Sequence, residues 1–403
     1  MKKNLILLAS AFLAIAGTSC SNDETLDVNT GQGIQFRAFT NNITRAADIE
    51  DPTNGKTNKL DGFTVYAFGN GEKEIYDFND TYRNTGGTWG FTSGMRNWPG
   101  DGTQLNFYAF NAEDLKEGTC DNNFERSGSS ITAKLTYTPD KDAGEQKDLV
   151  VAYTSGSNTD KSGVDINFRH ALSKITVKAK NSNSKAYRVE VKGVYLRRYN
   201  NKGVLTLPSK NTKDNDLETN AWSASKEENF KGYKVLNETA LTLTNTDQTI
   251  SGTDKTPNSF MVIPQTTTAW NNSLKSNSND NNGTYISLLV RIYQLSAGDD
   301  SSTGGKLIFP RKTDKEDIQE DEYGLAAVGV AANWQAGKHY TYNIEFFGDN
   351  GGGGVTDPDV DPVDPTDPVN PEDPEVPVVG GKLTLKVTVS DWTNEEATNT
   401  PMP

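Results

Sequence analysis

Residues 164–181 read VDINFRHALSKITVKAKN. Val164, Ile166 and Phe168 alternate with polar neighbours, and the alternation returns at Ile175, Val177 and Ala179. A period of two lays one set of side chains on one face of a strand. The same signature recurs on both sides. Before it stand GFTVYAF (62–68), TQLNFYAF (103–110), SITAKLTYTP (130–139) and KDLVVAYT (147–154). After it come RVEVKGVYLRRY (188–199), SFMVIPQ (259–265), YISLLVRIYQL (285–295) and NWQAGKHYTYNIEFF (333–347). In the last of these Tyr340, Tyr342, Ile344 and Phe346 share one face. Apolar residues make up only 34% of the chain, and long helical periods are hard to find. The pattern predicts an all-β protein of Greek-key β-sandwiches. A length of 403 residues suits two domains. The loop-like TSGSNTDKSG at 154–163 sets the expected boundary, giving domains at 46–160 and 161–350.

Both ends of the chain differ from this body. Met1-Lys2-Lys3 is basic, Asn4 to Ala16 is mostly apolar and too short for a typical spanning helix, and Gly17-Thr18-Ser19-Cys20 follows. Residues 1–19 read as a secretory signal peptide. A Cys after small residues resembles a bacterial lipobox, with Gly17 where the usual motif has Leu, so Cys20 is the expected lipidation site. Ordinary secretion with an incidental Cys is the alternative. Losing residues 1–19 removes Lys2 and Lys3 and moves the net charge from −14 to −16. So acidic a chain argues against nucleic acid and anionic membrane surfaces as partners. The only other cysteine is Cys120, so no disulfide framework exists and stability must come from packed sheets.

Residues 20–45 are polar, with one strand-like island at Gly33–Phe39, where Ile34, Phe36 and Ala38 share a face. The open stretch after it makes Arg45-Ala46 a candidate protease site.

At the other end, residues 351–381 form a Gly and Asp-Pro linker. From Pro358 to Pro377 there are seven prolines, the last six at every third residue, and the eight acidic residues between Val355 and Val379 face no basic one. Such composition favours an extended polyproline segment reaching roughly 60 Å at ~3.1 Å per residue. Residues 382–403 then hold a strong strand. Leu383, Leu385, Val387 and Val389 lie on one face, with Trp392 just beyond. This strand has two possible docks. It could fold back antiparallel beside Thr341–Phe347, or it could complete a neighbouring copy as a donor strand.

A resemblance covers nearly the whole chain. The landmarks are TRA at 44–46, Trp89, Trp98-Pro99, LNFYAF at 105–110, DLVVA at 148–152, FRHALSKITV at 168–177, MVIPQ at 261–265, W-x-x-G-x-x-Y-x-Y from Trp334 to Tyr342, and V-x-D-W at 389–392. In this order they resemble the Bacteroidetes fimbrillin family, which includes type V pilins. The resemblance implies two tandem transthyretin-like β-sandwich domains and export as an outer-membrane, surface-exposed lipoprotein held in lipid through Cys20. It implies an Arg-specific maturation protease cutting between Arg45 and Ala46. The groove vacated by GIQFRAF would take the C-terminal strand of another pilus subunit of the family, in a fimbrium supporting adhesion. It names no cofactor and no host or glycan ligand. The Asp-Pro segment departs from what a compact stalk subunit would carry.

Catalytic readings are weak. His170 and His339 are the only histidines, and Ser173, three residues from His170, falls on the opposite face of a strand. There is no His-Glu-x-x-His, Cys cluster, phosphate loop or Gly-x-Ser-x-Gly. Asp357, Asp359 and Asp361 mimic a calcium loop, but Pro362 stands where that loop needs Gly. The alternative function is a surface glycan-binding lipoprotein that does not polymerise, with Trp222 and Trp270 as sugar-stacking faces.

Overall fold

The computed structural model describes residues 28–38, 48–51, 56–141, 143–208, 217, 221–228, 230, 232–252, 259–270, 283–310, 323–349, 351–356 and 378–392. Within them the regular structure is strand, apart from three short 3-10 turns. The all-β expectation holds.

An antiparallel six-stranded sheet runs in the order Arg169–His170, Val150–Gly156, Leu105–Phe110, Gly62–Gly69, Phe78–Thr85, Thr88–Phe91. Strand alternation gives it two apolar faces. Phe63, Val65, Ala67, Phe107, Ala109 and Ala152 enter one core with Ile34, Phe36 and Trp98. Phe68, Tyr108, Phe110, Val151 and Tyr153 enter another with Leu135 and Tyr137. The latter two come from a four-stranded sheet of Cys120–Ser127, Ser130–Tyr137, Lys202–Thr206 and Trp222–Ser225. Residues beyond the boundary expected near 160 thus complete a sheet begun before it.

The opening stretch passes from one core to another. Val164, Ile166 and Phe168 pack in the first core, and Ile175, Val177 and Ala179 pack in a third. There Ser173–Asn181 lies parallel to Lys338–Phe346, with the trailing strand Thr384–Asp391 antiparallel on the far side. The sheet packed against it runs Tyr233–Thr242, Tyr187–Arg197, Tyr285–Gln294, Gly324–Gly329, Val355–Thr356. Tyr340, Tyr342, Ile344 and Phe346 are all buried, as their alternation predicts.

The Trp-Gly-Tyr-Tyr landmark has a local cause. Trp334 Nε1–H donates to the Tyr342 hydroxyl (2.8 Å), and the Tyr340 hydroxyl donates to the Asn333 carbonyl (2.6 Å). Gly337 turns the chain between them at φ 68°, where other residues are strained.

Candidate functional site

The leading segment sits in a slot. Val28–Gly33 pairs antiparallel with Asn97–Pro99, with an irregularity between Asn29 and Gly33. Phe36–Ala38 pairs parallel with Val164–Ile166. The Ile34 amide donates to the Arg96 carbonyl (2.6 Å), and the Val164 amide to the Gln35 carbonyl (2.8 Å). Ile34 is 3% exposed and Phe36 9%. The Phe36 ring meets Tyr82 and Phe107 edge-on at 5.1 Å, Phe63 at 5.8 Å and Phe91 at 6.0 Å. These edge-to-face contacts add to the area buried. Withdrawing this segment would strip Asn97–Pro99 and Val164–Ile166 of their ladder partners and open an aromatic pocket. Cys20, Arg45 and Ala46 lie outside the described residues.

The trailing strand follows the intramolecular alternative. It makes eight rungs with Lys338–Phe346, from Lys338 opposite Asp391 to Glu345 opposite Thr384. Its side chains do not follow the expected common burial. Leu383 is buried and Leu385 half-buried, while Val387 is 44% and Val389 52% exposed. Their rung partners Tyr342 and Tyr340 are buried. The facing sheet ends in the two-residue strand Val355–Thr356, and the adjoining Gly354 lies against Leu383. It therefore covers the start of the trailing strand and not its middle.

The strand is instead pinned at its ends. Trp392, 1% exposed, stacks on His170 with ring centres 4.2 Å apart and planes 7° from parallel. Its amide donates to the Gly337 carbonyl (2.8 Å), and Lys338 pairs with Asp391. Beneath the indole, His170 Nδ1 meets Asp148 Oδ2 at 2.5 Å, with both side chains fully buried. Among the described residues Asp148 Oδ1, His170 Nε2 and Trp392 Nε1 have no hydrogen-bond partner. Buried polar atoms in that state cost about 1–3 kcal/mol each.

At the other end the Gly-rich run and the tail form a neck. Gly352, Gly353 and Gly354 amides donate to the carbonyls of Lys382 (2.8 Å), Val379 (2.6 Å) and Gly381 (3.0 Å), and the Val378 amide to Gly354 (2.9 Å). The chain leaves at Thr356 and returns at the buried Val378. The linker expected at 351–381 is thus closed at its base; residues 357–377 lie outside the described set.

Of the two sugar-stacking candidates, Trp270 is not placed for that task. Trp270 is buried with Tyr285, Ala327 and Val355. Trp222 is half-buried against the second core, and its Nε1–H donates to the Ala171 carbonyl (2.7 Å). Each indole sits beside a polar loop in sequence, but the sheets enclose Trp270 and hold Trp222 half-buried. Ser173 Oγ donates to the Gln335 carbonyl (2.8 Å) and serves no histidine. Burial, with Lys174 and Lys178 adding to it, pulls His339 down to about 4. Burial pushes the Cys120 thiol up to about 12, which keeps it protonated and poorly nucleophilic. Among the described residues no group of His, Cys, Asp or Glu is arranged to hold a metal, and no helix is long and apolar enough to cross a membrane.

Comparison with known proteins agrees with this architecture. A family model described as fimbrillin-like matches residues 44–356, so the leading segment and the trailing strand flank the matched interval. A fimbrial protein from Bacteroides vulgatus ATCC 8482 is similar in fold, with a TM-score of 0.54 at 14% identity over 90% of this chain and 100% of the other. A candidate cell adhesion protein from Bacteroides ovatus ATCC 8483 aligns at a TM-score of 0.41 and 13% identity over 91% and 99%. No curated protein sequence matches.

Proposed function

Because this chain belongs to the fimbrillin-like family, a family of the cell surface, we propose that it is a structural subunit of a fimbrium supporting adhesion. It is exported as a lipoprotein through Cys20 and held in the outer membrane. It is trimmed between Arg45 and Ala46 by an Arg-specific protease. It is then joined to other subunits of the family by strand exchange. The observation that carries the reading is the leading segment in its slot, between two strands that have no other ladder partner among the described residues.

Trimming frees a segment held through Ile34 and Phe36, two residues apart on one face. The trailing strand offers Val387 and Val389 at the same spacing, and they are the apolar residues its home position leaves exposed. Backbone edges at Asn97–Pro99 and Val164–Ile166 supply the ladder, and the aromatic pocket supplies the burial. Before donation the tail must leave Lys338–Phe346, the neck must part and Trp392 must leave His170. An opened neck adds about twenty residues of reach, roughly 60 Å at ~3.1 Å per residue.

Trimming at Arg45 should convert a monomer into a ladder of oligomers on denaturing gels without boiling. Arg45→Ala should block the ladder, and deletion of residues 382–403 should leave a trimmed chain that cannot extend. A trimmed, full-length chain that stays monomeric at high concentration would falsify the reading.

A further inference from the structure

Strand exchange gives the acidic segment no task while its neck is closed. The sequence puts eight carboxylates and no basic residue between Val355 and Val379. Elsewhere the same chain carries a surface of the opposite sign. It is the outer face of the sheet of Ser173–Asn181, Lys338–Phe346 and the trailing strand. The ladder register lays Lys178 beside Asn343 and, one strand further, Lys386. Lys180 lies beside Glu345, Lys174 extends the row, and the rung between carries only threonine. Across these four rungs stand four ammonium groups and one carboxylate, on a protein whose net charge is −14.

Two side chains on the face register that field. His339 is held down by burial and then by Lys174 and Lys178. The Glu345 carboxyl is lowered by the Ser182 hydroxyl, with Lys180 and Lys386 adding to it. Lys386 is exposed, and Lys180 keeps part of its side chain in water while paired with Glu345 at 3.2 Å.

We propose that this lysine face docks the acidic segment, residues 357–377, of a second copy of the chain. Charge spacing favours that occupant. From Lys174 to Lys180 the face is about 20 Å long at ~3.3 Å per residue, or roughly one net positive charge per 7 Å. The segment carries a carboxylate about every 2.6 residues, ~8 Å apart at the polyproline rise. Duplex nucleic acid presents a charge every ~1.7 Å, far denser than the face can match. The rungs expose no apolar side chain to anchor a folded protein surface, since Met261 and Trp392 beside Lys174 are buried, whereas an extended acidic strand needs none. The neck opens at the seam where Gly354 meets Leu383, on the inner side of the trailing strand. The lysines point to the outer side, so a neighbour presents its face more directly than the chain presents its own. Lys386 belongs to the trailing strand, so the face is complete only when a tail is docked.

The test uses the untrimmed chain from Ser21 onward. Its slot is filled, so failure of strand exchange leaves the outcome untouched. A synthetic peptide of residues 357–377 is titrated into a variant with Asp357, Asp359, Asp361, Asp364 and Asp367 changed to Asn. Binding is expected at low salt and should fade above about 0.3 M salt, where screening is short-ranged. Lys178→Glu with Lys386→Glu should weaken it at least about tenfold, while Lys73→Glu, remote from the face, should not. The unmodified chain should self-associate at low salt in sedimentation. Absence of peptide binding, or binding indifferent to lysine reversal, overturns the proposal. So does peptide binding by a chain that stays monomeric, which would assign each face to its own segment. A polygalacturonate chain bound by the face in place of the peptide would assign it to a glycan instead.

Discussion

The leading segment and the trailing strand are held in opposite ways. The leading segment has a short, interrupted ladder, but Ile34 and Phe36 are buried among aromatic rings. The trailing strand has eight regular rungs, but Val387 and Val389 face water and burial is confined to its ends. One is fixed by side chains, the other by backbone and two pins. A ladder transfers readily to any open edge, because every strand offers the same backbone groups. An aromatic pocket accepts only what fills it. The asymmetry suits the proposed exchange, in which the first segment is removed once and the last strand moves.

The largest effect that could break this comparison is at Phe36. Phe36→Ala should destabilise the untrimmed chain by about 3–5 kcal/mol, read by denaturant unfolding. In the trimmed chain it cannot matter, so a loss that persists after trimming would mean the segment acts elsewhere. Next comes Trp392→Ala, which removes the pin over His170. It should cost about 3 kcal/mol of tail docking and raise amide exchange across Thr384–Asp391. Protected tail amides in that variant would show that the ladder alone suffices.

A smaller effect should appear with pH. The imidazole of His339, beside Ser390 of the tail, sits at about 4, below its usual value, mainly because it is buried. A lowered value favours the neutral ring in the fold. The stabilisation is thus present above about pH 6.5 and is lost as pH falls toward 4. The loss should be on the order of 2 kcal/mol across that window, and His339→Gln should flatten it. The smallest effect on the monomer belongs to Val387→Ser with Val389→Ser, under about 0.5 kcal/mol, as for other exposed positions. The same pair should sharply reduce oligomer yield after trimming. A stable monomer with undiminished oligomers would remove these valines from the exchange.

Much of this was legible in the sequence because strand alternation is local. The alternations at Ile34 and Phe36, at Ile175 to Ala179 and at Tyr340 to Phe346 translate directly into buried faces. Val387 and Val389 alternate just as well, yet they are exposed, because burial also depends on how far the facing sheet extends. Nothing in the local pattern of VSDW reports a stack on a residue 222 positions earlier in the chain. The neck is built from backbone groups of glycines, which carry no hydrophobic period. Trp222 and Trp270 are more buried than their sequence surroundings suggest for a related reason. Their sequence neighbours are polar, while their spatial neighbours are core.

The central claim is that the slot emptied by trimming is refilled by the tail of another copy. A disulfide trap reads this directly, using one batch of Asn97→Cys and one of Val389→Cys, both with Cys120→Ser. The account predicts a covalent heterodimer only when the Asn97→Cys batch has been trimmed at Arg45. A trimmed mixture that yields no such dimer, with the tail amides still protected on Lys338–Phe346, would contradict it.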